Sequence, residues 1–149
     1  MQFGFINLFG AGTVVLLLVP NIVYAVKNRG EQNLCENRFM NLAEQIGRYA
    51  CIVLMWLPLL VWEFGFGSEP EALLYFIGNA ALLAAYWVTF ALYFKKKTKK
   101  RALALAVLPA CMFLLSGLLL RHWLLVGFAV VFGIAHVYVT LKNAAAREL

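Results

Sequence analysis

Five runs of this sequence are continuously apolar over the length of a membrane-crossing helix: residues 3–26, 46–64, 72–94, 102–120 and 123–141. A span needs about 17–25 such residues. Lipid offers backbone N–H and C=O groups no partner but each other, so each run is expected to be a helix. A β-barrel is excluded, because its strands are about ten-residue segments of alternating polarity. Only 13% of the 149 residues are charged, against roughly 25% in a soluble domain. The expected fold is therefore all-α: five transmembrane helices in one bundle over residues 1–149, with too little chain between them for a soluble domain.

The charges orient that bundle. With the N-terminus outside, Lys27, Arg29, Arg38, Arg48, Lys95, Lys96, Lys97, Lys99, Lys100, Arg101, Lys142 and Arg147 face the cytoplasm. Of the 13 basic residues, only Arg121 is left outside. Lys and Arg in short cytoplasmic loops set orientation, so the C-terminus is expected inside. The net charge of +6 then reflects topology and attraction to anionic headgroups on the cytoplasmic leaflet. No nucleic-acid motif accompanies it. Residues 1–12 carry no charge, so the first run lacks the basic start of a cleavable signal. Cys35, Cys51 and Cys111 all fall on the cytoplasmic side or in the membrane and are expected as free thiols.

Between the first two runs lies the longest loop, 27–45. In its second half Cys35, Phe39, Leu42 and Ile46 recur at helical spacing, and Asn33 followed by Glu36 reads as an N-cap with its reciprocal partner. An interfacial amphipathic helix is expected there, running into the second span with a bend at Gly47. Pro20, Pro58 and Pro109 can each kink a span and free a carbonyl. The run KKKTKKR, residues 95–101, reads as a topology anchor or lipid-headgroup contact through Lys95, Lys96, Lys97, Lys99, Lys100 and Arg101. Arg121 and His122 leave room only for a tight reversal, so the last two spans should form an antiparallel hairpin.

Polar side chains in lipid turn toward the bundle interior. Asn21, Thr89 and His136 each lie six residues from a basic boundary residue, roughly 9 Å deep at the helical rise. With Tyr86 nearby they are the candidate ligand-binding pocket; interhelical hydrogen bonding is the alternative. Such an interior suits a neutral or weakly polar lipophilic guest. A second, outer cluster joins Glu63 with Arg121 and His122. Catalytic signals are thin: there is no Asp, the two histidines are too far apart to share a metal within one subunit, and no phosphate-cradling Gly loop or Cys-x-x-Cys is present. No metal or cofactor is expected.

The strings LVPNIVYAVKNRG (18–30), NLAEQIGRYACIVLM (41–55) and FGIAHVYVTLKNA (132–144) resemble segments of an uncharacterised family of small polytopic membrane proteins in Firmicutes-type bacteria. That resemblance implies the bacterial inner membrane and no particular activity. A shorter resemblance, carried by Arg38, Asn41 and Glu44 where the loop enters the second span, is to membrane-associated eicosanoid and glutathione transferases. It implies a thiol cofactor near those residues and Arg48. The chain departs from that family in its fifth span and in the third span's lack of the family's Arg and Tyr pattern. The expectation is a non-enzymatic membrane protein that binds or helps move a small lipophilic ligand, or serves as an accessory subunit, alone or as a homo-oligomer or in a larger complex. A glutathione-type transferase and a purely structural partner are the alternatives.

Overall fold

Asn7 opens the first helix by accepting a hydrogen bond from the Gly10 N–H, which satisfies one of the donors a helix start leaves bare. The computed structural model describes residues 6–61 and 65–147. These form five helices: α1 (Leu8–Lys27), α2 (Arg38–Leu54), α3 (Glu69–Lys95), α4 (Lys99–Leu119) and α5 (Trp123–Ala146). There is no strand among the described residues. Ser68 and Thr98 cap α3 and α4 in the same way as Asn7, and Glu69 and Glu71 stand in the first turn of α3, where the helix dipole favours negative charge. In space α3 packs on α4, α4 on α5 and α5 on α2, while α1 rests on α3.

Four helices, α1, α3, α4 and α5, are long and apolar enough to cross a membrane, which suggests a multi-pass membrane protein. Their outer faces carry large apolar side chains, with Leu8 78%, Val15 60%, Ile22 60% and Ile134 64% exposed. Apolar surface of this extent is not left to water.

The expected second span, 46–64, does not form as one helix. α2 begins earlier and stops at Leu54, and Pro58 accounts for the stop: it cannot donate to the Leu54 carbonyl and disfavours helical geometry at Leu57. Residues 62–64, including Glu63, lie outside the described residues. Nor is there a separate interfacial helix. Its residues are the first turns of α2, capped by Asn37 rather than Asn33. Asn33 Oδ1 instead accepts from Cys35 N and Asn143 Nδ2.

Gly47 is not a bend. It lies buried inside α2, where an added Cβ would come within 2.9–3.0 Å of the Cβ and backbone of Phe132; the missing side chain brings α2 onto α5. Ala110 and Gly133 do the same for α4 and α5, in the manner of small residues at membrane helix interfaces.

Pro20 shows how an interior proline is accommodated. It deprives the Leu16 carbonyl of its helical donor, and Trp87 Nε1–H of α3 reaches across to that oxygen at 3.1 Å. Trp87→Phe is expected to destabilise the fold by about 1 kcal/mol, the net worth of one hydrogen bond. The penalty should vanish on a Pro20→Ala background, where residue 20 again donates to Leu16. Unfolding of the two single variants and the double variant in mild detergent measures this.

Candidate functional site

At one end of the molecule the polar side chains satisfy each other in a dry interior. Asn7 Nδ2 donates to the Tyr75 hydroxyl at 2.9 Å and to the Met55 carbonyl at 3.3 Å. Ser116 Oγ donates to Asn79 Oδ1 at 3.2 Å, and Asn79 Nδ2 to the Tyr75 carbonyl at 2.9 Å. Asn7, Tyr75, Asn79 and Ser116 are all buried.

His122 is buried at this end too, with Nε2 3.1 Å from the Leu59 carbonyl, so Nε2 carries the proton. Its Nδ1 is buried without a partner. Burial holds this imidazole below its usual pKa, against the opposing pull of the Leu59 and Leu54 carbonyls. Of the expected outer cluster, two members are described. Arg121 reaches Glu71 at 3.1 Å, His122 turns inward, and Glu63 lies outside the described residues.

The other end is hollow. A cavity of about 570 Å³ lies here, with all five helices and residues 28–33 contributing to its wall. Its deep part holds Asn21, Tyr86, Glu44, Arg48 and His136. Asn21 Nδ2 donates to the Tyr86 hydroxyl at 2.7 Å, joining α1 to α3. His136 Nδ1 lies 2.8 Å from Glu44 Oε1, joining α5 to α2, and Arg48 donates to the same oxygen. The His136 ring stacks on Phe132 at 4.9 Å.

Glu44 is the unusual member, with a side chain only 6% exposed. A buried carboxylate costs several kcal/mol unless compensated, and here two partners converge on it. In the neutral imidazole this bond puts the proton on Nδ1 and leaves Nε2 a lone pair. Glu44 Oε2, His136 Nε2 and the Tyr86 O–H make no hydrogen bond among the described residues. The deep cavity thus offers two acceptors and one donor beside a wall of Phe90, Leu105 and Ala106.

Of the expected pocket, Asn21, Tyr86 and His136 line this cavity and Thr89 does not. Thr89 donates to the Ala85 carbonyl one turn back at 2.7 Å, the usual way a helical threonine satisfies itself. Glu44 and Arg48 join the pocket residues, so its interior is charged rather than merely polar. Arg38 and Asn41 stay outside the cavity wall; Asn41 Nδ2 donates to the Cys35 carbonyl at 2.7 Å. Within the basic run, Lys97 turns back to Glu31 and Asn28, and Arg101 binds the Leu92 and Lys96 carbonyls at 2.9 Å. Lys95, Lys96, Lys99 and Lys100 make no ion pair among the described residues.

The sequence reading missed the strap over the mouth, residues 28–34. Its Leu34 N–H donates to Asn143 Oδ1 at 2.7 Å, and its Glu31 is held by Tyr24, Lys97 and Arg147. Glu31, two residues after Arg29, was the available signal. No protein-family model, curated protein or solved structure matches the chain.

The Glu31 carboxyl lies outside the helices. Burial alone would raise its pKa; the hydrogen bonds from Lys97 and Tyr24 and the Arg147 cation outweigh this and hold it below the usual value. A folded-state value below the unfolded one means that its stabilisation is complete above about pH 4.3 and is lost as pH falls through the lowered value. Glu31→Gln should therefore flatten the acid limb of the stability curve below about pH 4.3, read by thermal unfolding across the acid range.

Proposed function

We propose that the protein is a multi-pass membrane protein that binds a small lipophilic ligand, carrying a polar head, in the cavity at its basic end. The observation that carries this reading is Glu44: a carboxylate drawn in among the helices, with one oxygen unused beside an open, partly aromatic cavity. A carboxylate serving only to pack helices has no need of the space in front of it.

Membrane embedding of α2 is supported by its two faces. Phe39, Leu42, Ile46, Tyr49 and Val53 point outward and are exposed, while Glu44, Gly47, Cys51 and Leu54 point inward and are buried. An outward apolar stripe with an inward carboxylate is the reverse of a helix lying against water. The basic loops and the end of α5 meet at the cavity mouth, and the positive-inside rule puts that end in the cytoplasm. In a Cys111→Ser background, Ser68→Cys and Thr98→Cys should label from opposite sides of sealed vesicles. Labelling from one side would overturn the topology.

Ligand binding is tested in nanodiscs of zwitterionic lipid, by thermal unfolding against a panel of single-chain lipophiles with alcohol, amide, carboxylate, phosphate and amine heads. At least one should stabilise the wild type. His136→Gln and Tyr86→Phe, which alter the wall the guest lies against, should weaken that stabilisation, each variant compared with its own unliganded melting. Equal stabilisation of both variants, or none of the wild type, refutes the reading. A glutathione-type transferase is the second reading, favoured by Glu44 and Arg48 standing in the cavity wall. Glutathione-dependent turnover of an electrophilic lipid-like substrate that disappears in Glu44→Ala would establish it.

A further inference from the structure

The mouth of the cavity is occupied by the protein's own carboxylate. Glu31 receives the Tyr24 hydroxyl from α1, the Lys97 ammonium from the turn between α3 and α4, and the Arg147 guanidinium from the end of α5, the last at 3.0 Å. Each donor is itself fixed. Lys97 Nζ bonds Asn28 Oδ1 at 3.0 Å and lies 5.2 Å from the centre of the Tyr24 ring. Arg147 Nη2 donates to the Gln32 carbonyl at 2.8 Å.

Two cations and a hydroxyl converging from three elements on two oxygens are a receptor for a carboxylate or phosphate. Its charge is not balanced. Lys97 and Arg147 oppose one Glu31, and Arg29, also in the cavity wall, makes no ion pair among the described residues. Directly behind it stand Tyr24, Phe90 and Tyr93, leading inward to Leu105. A charged cradle at the mouth and an aromatic and aliphatic wall behind it match the two halves of an amphipath.

We infer that the cavity takes an amphipathic anion whose carboxylate or phosphate head replaces the Glu31 carboxylate on Lys97, Arg147 and Tyr24. The inference rests on the reading that this cavity binds a lipophile and deepens it by placing the head at the mouth, so that the inner end of the guest, not its head, lies toward Glu44, His136 and Tyr86. A neutral head would leave Glu31 in place and gain nothing from the two cations. A cationic head would meet Arg29, Lys97 and Arg147 on approach, and the field of the basic end steers anions toward the same opening. Glu31 is then an internal competitor. Gly30, at φ 104° with open space where a Cβ would stand, adjoins it and lets the strap carry the displaced carboxylate outward. Any ligand binds only the fraction of molecules whose receptor is vacated, so the competitor lowers its apparent affinity.

The test compares decanoate and decyl phosphate with decanol, at equal chain length, on the full chain in zwitterionic nanodiscs, with binding read by thermal shift. A further arm uses nanodiscs containing phosphatidylglycerol and no added probe. The anionic probes should bind about tenfold more tightly than decanol, the worth of one charge-assisted hydrogen bond. Glu31→Gln should tighten them about tenfold further by removing the competitor, and leave decanol unchanged. Lys97→Gln with Arg147→Gln should abolish the preference, whereas Lys99→Gln with Lys100→Gln, on the same basic face, should keep it.

Stabilisation by phosphatidylglycerol that depends on Lys97 and Arg147 assigns the head to a bilayer lipid; stabilisation by decanoate or decyl phosphate alone assigns it to a free amphipath. Equal binding of decanol and the anions overturns this inference and leaves the ligand-binding reading standing. An anion affinity that Glu31→Gln lowers or leaves unchanged overturns it as well. No effect of any probe or lipid overturns both.

Discussion

The rotation of α2 about its own axis depends on where one carboxylate can go. Facing outward, Glu44 would stand in the apolar stripe of Phe39, Leu42 and Ile46 without a partner. Turning it inward brings it to His136 and Arg48. The same rotation lays Gly47 against Phe132 and sends Phe39, Leu42 and Ile46 to the outer surface. The contact between α2 and α5 therefore joins two requirements on one face: a polar group that must be compensated and a backbone approach that only glycine admits. An Ala at position 44 would remove the first and leave the Gly47 approach alone to choose the angle.

The two ends of the molecule handle polar groups in opposite ways. Around Asn7, Tyr75, Asn79 and Ser116, helix ends and buried side chains are brought together until donors meet acceptors. Fully satisfied networks of this kind rigidify an interior. Around Glu44 and His136 the partners are present but the space is not filled, and hydrogen-bonding capacity is left over. The closed end gives α1 and α2 a common anchor through Asn7 and Met55.

Much of this architecture is written in the apolar runs, because the requirement that lipid places on the backbone depends on length and composition alone. The starts of α3, α4 and α5 and the tight reversal between the last two fall within a few residues of the expected places. α2 was misjudged because Pro58 and the charges of its first turns oppose the apolar count, and hydropathy averages cannot weigh a helix stop against a carboxylate that points inward.

Asn21, Tyr86 and His136 were legible as a pocket because depth and polarity agree for them. Thr89 shares their depth, but its hydroxyl can reach its own backbone and so needs no neighbour. Lys97 and Arg147 read as topology charges and Glu31 drew no reading, since nothing local tells which cation of a basic run will fold back onto a distant carboxylate.

Position 47 has a consequence that reaches beyond the helix contact it serves. A methyl group there would meet not the tip of a flexible side chain but the backbone and Cβ of Phe132. Phe132 must then move as a whole, and its ring carries the stacked imidazole of His136 with it. The distance from His136 to Glu44 is thus geared to a residue that has no atoms in the cavity wall. Small-to-larger exchanges at this site would retune the interior from behind, and a variant's effect there would track the bulk added at position 47 rather than any chemistry it brings.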